Sequence, residues 1–152
     1  MPSPAVGSAA PDFTLASTSG AAVTLSSLRG NNVLIAFFPL AFTGVCTAEM
    51  CAISDHYDRF QEAGTVVLPI SVDSIPTLKE FKSKEGMTVD LLSDFKREVS
   101  RRYGTLLEEA FLSRRAYFLL DRTGIVRWSH VEAELGHSRP VDELLTRIGE
   151  LS

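Results

Sequence analysis

The chain has 152 residues, 45% hydrophobic and 22% charged, with a net charge of -4. That length suits one domain able to bury a core without disulfide staples, so we expect a single domain over residues 1–152. The basic residues are scattered, and the doublets Arg101–Arg102 and Arg114–Arg115 are too small to act as a footprint for nucleic acid or an anionic membrane.

The opening MPSPAVGSAAPDF lacks a basic start and a continuous apolar stretch, which predicts neither a secretory signal nor a membrane anchor. The expected location is the cytoplasm. The segments PDFTL and AVTLSSL read as two short strands joined by a turn at Ser17 to Gly20, an N-terminal β-hairpin. NNVLIAFFPL follows as a continuous apolar strand from Asn32 to Phe38, ended by Pro39, the pattern of a central strand covered on both faces. From Thr43 to about Ala63 the apolar residues Met50, Ile53, Tyr57 and Phe60 recur at helical spacing, which predicts one helix ended by Gly64.

TVVLPISV, residues 65–72, is a second buried strand, in which Pro69 must sit where no ladder bond is needed. IPTLKEFKSKEG predicts a helix stopped by Gly86, and VDLLSD a short strand running into a helix over DFKREVSRRYG, with Asp94 as N-cap and Gly104 as terminator. The loop from Thr105 to Ser113, LLEEAF included, has no clear period and leaves room for a helical turn. RAYFLLDRTGIVRWSHV is an antiparallel hairpin about a DRTG turn, and PVDELLTRIGEL an amphipathic closing helix. Strands alternating with helices predict an α/β fold with a central mixed β-sheet flanked by helices.

Both cysteines lie in FPLAFTGVCTAEMC. In a reducing compartment two cysteines point less to a structural bridge than to a redox pair or to ordinary buried thiols. If a helix begins near Thr43, Cys46 falls in its first turn, where unpaired amides and the positive dipole end favour an anion. An ordinary cysteine is only about 3% ionised at neutral pH, so a reactive one needs such surroundings. Thr43 puts a hydroxyl one turn before Cys46, and Pro39 shields the pocket. Arg115, at the start of a strand, is the best candidate for a fixed cation that favours the thiolate and holds a polar substrate. Glu49 alone would oppose ionisation, so it makes more sense as the partner that aims the arginine. Arg114 is expected at the surface, as are His130 and His137. Two cysteines with His56 nearby supply too few ligands for a zinc site, and no Gly-rich loop suggests a nucleotide, so no metal or cofactor is expected.

With these residues in view, the sequence resembles the peroxiredoxins. PLAFTGVC matches their P-x-x-x-T-x-x-C motif at Pro39, Thr43 and Cys46, and the likeness extends through GSAAPDFTL, LIAFFPLAFTGVC, LLSD and RRAYFLLDRTGIVR. It is similar to the AhpE-like and PrxQ-like branches, and CTAEMC matches the PrxQ pattern of a second cysteine five positions on. The resemblance implies a thioredoxin-like fold, a peroxidatic Cys46 in a pocket completed by Thr43, Pro39 and Arg115, and a carboxylate at Glu49 near the arginine. One departure is Tyr117, where many relatives have Thr after the arginine.

The implied activity is reduction of hydrogen peroxide and organic hydroperoxides through a Cys46 sulfenic acid, with a thioredoxin-like protein or a low-molecular-weight thiol as reductant; relatives are often homodimers. On an ideal helix the Cα atoms of Cys46 and Cys51 would lie roughly 8.6 Å apart, beyond the roughly 7 Å that a disulfide tolerates. Resolution by Cys51 therefore requires the helix to unwind. A one-cysteine cycle with an external thiol and a redox sensor that switches a partner remain alternatives, whereas a disulfide reductase is disfavoured for want of a C-x-x-C motif.

Overall fold

The computed structural model describes residues 3–151. A hairpin of β1 (Thr14–Ser17) and β2 (Ala22–Thr24) leads through a 3-10 turn (Leu25–Leu28) to β3 (Asn32–Phe37), then α1 (Gly44–Asp55) and α2 (Tyr57–Glu62). β4 (Thr65–Ser71), α3 (Ile75–Glu85), β5 (Leu92–Ser93), α4 (Glu98–Arg102), the short strands β6 (Leu106–Leu107) and β7 (Leu112–Ser113), the hairpin β8 (Ala116–Leu120) and β9 (Val126–Val131), and α5 (Val141–Gly149) follow. The main sheet runs β2-β1-β5-β4-β3-β8-β9. β3, β4 and β5 are parallel, whereas β1, β2, β8 and β9 join antiparallel, so the sheet is mixed as expected.

β3 is buried at every residue, and its two-residue period divides the core. Leu34, Ala36 and Phe38 pack with α1, α2, α3 and α5 through Met50, Ile53, Phe60, Phe81 and Ile148. Val33, Ile35 and Phe37 face the other way, onto Phe13, Val99, Tyr103 and Phe118. Such a strand can only be central, because each face needs its own cover. Pro69 costs no ladder bond. The Ile70 carbonyl accepts from Phe38 N toward β3, so Pro69 faces the β5 side, where pairing begins only at Ile70 opposite Leu92.

Several boundaries differ from the sequence reading. The stretch LSSL is a 3-10 turn and not strand. The helix expected over residues 43–63 is two helices, broken at His56. The apolar period continues through the break, but the Ser54 hydroxyl accepts from Thr88 N at 2.6 Å and the Ser54 carbonyl from the Thr88 hydroxyl at 3.1 Å, which ties the end of α1 to the loop after α3. The helix expected from Asp94 begins only at Glu98, because Arg97 takes a left-handed conformation with φ 63°. Asp94 still caps it, accepting from the amides of Val99 and Ser100. The loop after Thr105 forms the β6–β7 hairpin, whose connection is a single helix-like turn closed by Phe111 N donating to the Leu107 carbonyl at 2.7 Å.

Candidate active site

The parallel strands β3 and β4 end on the same side of the sheet, and the chain leaving β3 builds the site there. Pro39 is buried. Ala41 N donates to Asp73 Oδ2 at 2.8 Å, and the Ser71 hydroxyl donates to the same oxygen at 2.7 Å, so a carboxylate just past β4 anchors the loop. Phe42 then adopts φ 67°, a left-handed conformation that costs a bulky residue about 1–2 kcal/mol. Its ring, 45% exposed, lies 5.0 Å from that of Phe81. This bend turns the chain from β3 into α1 within six residues and makes Cys46 the third residue of the helix, where backbone N–H groups have no helical partner.

The Cys46 sulfur is 1% exposed and is not left in apolar surroundings. Arg115, equally buried, points one terminal nitrogen at it, with Nη2 donating to Sγ at 3.1 Å. The backbone of Arg115 is held at the head of β8 by Glu132 N, which donates to its carbonyl at 2.9 Å. Nη2 also donates to the Leu135 carbonyl at 3.2 Å, and Nη1 to Glu49 Oε1 at 2.8 Å. Glu49 lies one turn of α1 after Cys46 on the same face, which is why a single guanidinium spans both. The second carboxylate oxygen of Glu49 accepts from the Tyr117 hydroxyl. Tyr117 accepts in turn from Arg139 N at 2.9 Å, and the Arg139 side chain pairs with buried Glu132 at 2.9 Å.

Burial pushes the Glu49 carboxyl above its ordinary range, against the pull of Arg115 and Tyr117. Burial works against the charge of Arg115 as well, but Glu49 and Cys46 outweigh it and hold the guanidinium charged. Burial and the Glu49 charge push the Tyr117 phenol far up, so it remains a hydrogen-bond donor at any ordinary pH.

Five of the residues singled out from the sequence lie on the segment from the end of β3 into α1 or are bonded to it, but in different ways. Cys46, Arg115 and Glu49 form one hydrogen-bonded chain, and Pro39 is buried at the strand exit. Thr43 is the exposed residue before the helix, and its hydroxyl donates to the Leu40 carbonyl at 3.0 Å and not to the sulfur. Cys51 lies apart, half-buried on α1, with Sγ 3.8 Å from Glu85 Oε2; burial, then Glu85 and Asp55, push this thiol up. The Arg114 side chain donates to the Ala133 carbonyl at 3.4 Å. Sequence reasoning missed Asp73, Arg139, Glu132 and the bond from Tyr117 to Glu49. Only Tyr117, as a departure from the family pattern, carried a signal. Among the described residues no group of three or more His, Cys, Asp or Glu could hold a metal ion, and no helix is long and apolar enough to cross a membrane.

The AhpC/TSA family model matches residues 6–129. The chain is 43% identical over 130 residues to alkyl hydroperoxide reductase E of Mycobacterium tuberculosis, covering 84% of this chain and 85% of that one. It is 39% identical to the chloroplastic peroxiredoxin Q of rice (Oryza sativa subsp. japonica), covering 80% of this chain and 57% of that longer protein. Among solved structures, the reduced 2-Cys peroxiredoxin of Plasmodium vivax superposes with a TM-score of 0.87 at 34% identity, over 95% of this chain and 80% of that one. The AhpC of Enterococcus faecalis reaches 0.89 at 22% identity, over 95% and 90%, a likeness of fold. These neighbours share the thioredoxin fold. The chain belongs to the AhpC/TSA family, as a peroxiredoxin of the AhpE and peroxiredoxin Q type, and is therefore a thiol-dependent peroxidase.

Proposed function

We propose that Cys46 is the peroxidatic sulfur and that Arg115 both stabilises its thiolate and positions the hydroperoxide. The observation that carries this reading is the 3.1 Å hydrogen bond from a fully buried guanidinium to Sγ, its orientation fixed by Glu49. A cation that cannot swing away favours the anionic sulfur and remains in place for the charge that develops later. The sulfur gives an electron pair to one peroxide oxygen, the O–O bond breaks, and the other oxygen leaves with a proton as water or alcohol. Cys46 becomes a sulfenic acid. Arg115 and the free amides at the start of α1 hold the charge on the departing oxygen. The Thr43 hydroxyl proton is engaged by Leu40, so its lone pairs are free to accept the O–H of the peroxide. Pro39 keeps bulk water from the pocket.

The Cys51 thiol then attacks the Cys46 sulfenic acid, the S–O bond breaks and water leaves, which gives an intramolecular disulfide. Both cysteines lie in continuous α1, so the first turns of that helix must open before the sulfurs meet. A thioredoxin-like protein or small thiol in the cytoplasm then reduces the bond, and two chains assemble as a homodimer.

Peroxide consumption with reduced thioredoxin as electron donor tests the assignment of Cys46. Many turnovers by the wild type and none by Cys46→Ser support it. Sustained turnover by Cys46→Ser would refute it, and a single turnover per wild-type molecule would point to a redox sensor.

A further inference from the structure

The network around Glu49 contains a group that the reaction scheme above leaves unused. Tyr117 is buried at 0% exposure, in β8 just after Arg115, and its hydroxyl donates to Glu49 Oε2 while accepting from Arg139 N at 2.9 Å. Both its hydrogen-bonding directions are therefore fixed. Its ring is fixed as well, stacked on Trp128 with centroids 6.3 Å apart.

We infer that Tyr117 is a positioning residue of the peroxide step, holding the Glu49 carboxylate so that Arg115 keeps its second arm on the Cys46 sulfur. The inference rests on the role proposed for Arg115. A carboxylate with one oxygen on Arg115 and the other unbound could rotate about its last torsion and draw the guanidinium with it. With the second oxygen tied to Tyr117, rotation breaks a bond at each end. The anchor behind Tyr117 is also firm, because Arg139 is bound through its side chain to Glu132, which is 4% exposed and also bonds His130 at 2.9 Å.

The arrangement has an electrostatic consequence. The charged groups acting on Glu49 are Arg115, which favours its carboxylate form, and Glu132, which opposes it; the Tyr117 hydrogen bond favours it. Burial already pushes Glu49 toward protonation. Removal of the phenol hydroxyl deletes a donor to the charged form, so Glu49 takes up a proton at higher pH and releases Arg115.

The test is the second-order rate constant of Cys46 with hydrogen peroxide against pH, by stopped flow, followed through Trp128, the sole tryptophan. Tyr117→Phe keeps the ring and removes the hydroxyl. The expected result is a rate constant about tenfold lower, in line with a lost hydrogen bond to a charged group, with the acidic limb of the profile moved to higher pH. In a Glu49→Gln background the same substitution should cost nothing further. Wild-type rate and acidic limb in Tyr117→Phe would overturn the inference, and so would an equal loss with and without the Glu49 carboxylate, the mark of a merely structural role. Should Tyr117→Phe not fold, Glu49→Gln alone decides. It should lower the rate and leave only the acidic limb set by ionisation of Cys46, without the part that Glu49 protonation adds, and an unchanged profile would leave Tyr117 nothing to act through. Failure of the Arg115 assignment is distinguishable, because Arg115→Lys would then leave the rate unchanged, whatever Tyr117→Phe does.

Discussion

Arg115 divides its two terminal nitrogens between a carboxylate and a sulfur, and this division explains why the position calls for arginine. A lysine is a point charge on a flexible stem and cannot reach two acceptors with fixed directions. Arg115 is 1% exposed and its Glu49 partner 6%, so the pair draws little from solvent. Its net effect on stability is small or unfavourable, although removal of one partner alone would strand a buried charge. The pair is therefore better understood as a device for aim than for stability. On the proposed reading Arg115 neutralises Glu49 so that a thiolate at Cys46 is not opposed, and Tyr117 fixes which way that neutralisation points.

At the scale of elements, α1 carries Cys46, the proposed reactive sulfur, in its first turn and Cys51 half-way along. A disulfide between them demands that the helix open, and the loop before it is already bent through the left-handed Phe42. After one equivalent of peroxide the wild-type chain should lose two hydrogens in intact mass, and Cys51→Ser should instead gain oxygen. Equal added oxygen in both proteins would assign the second step to an external thiol. Much of this element was legible in the sequence. Pro39, Thr43 and Cys46 mark strand exit, helix entry and the helix's first turn by local spacing, and β3, the Gly86 stop and the β8–β9 hairpin follow from patterns within a few residues. The break at His56 was not legible, since Met50, Ile53, Tyr57 and Phe60 keep helical period through it, and the cause is Thr88, more than thirty residues away. Arg97 and Phe111, both with positive φ, shortened α4 and shaped the β6–β7 hairpin without glycine to announce them. The same limit hid Tyr117, because nothing local says that its hydroxyl ends on Glu49.

For the molecule as a whole, the carboxylates set how the fold answers acid. Asp121 in the β8–β9 turn is held well below its ordinary range: burial opposes this, but hydrogen bonds from Thr123, Arg127 and Ile125 prevail. Bonds from His130 and Arg139 likewise lower Glu132 despite its burial, and those from Ser26 and Phe13 lower Asp12. A carboxyl lowered in the folded state contributes stability that is present above its unfolded pKa and lost as pH falls through the folded one. Glu49 is raised and acts in the opposite sense, its contribution present at low pH and lost as pH rises through the folded value. Three lowered groups against one raised predict that the urea midpoint falls as pH is taken below about 4. Asp121→Asn should flatten part of that fall. A midpoint that holds or rises down to pH 2 would contradict this balance.

The most direct test of the central claim, that a guanidinium held against Cys46 makes it a peroxidatic thiol, is the rate constant of Arg115→Lys with hydrogen peroxide at neutral pH. Loss of the fork should lower it by about a hundredfold, the scale of one preorganised donor at a developing charge, while the variant remains folded by circular dichroism. A folded Arg115→Lys that reacts at the wild-type rate would contradict the account.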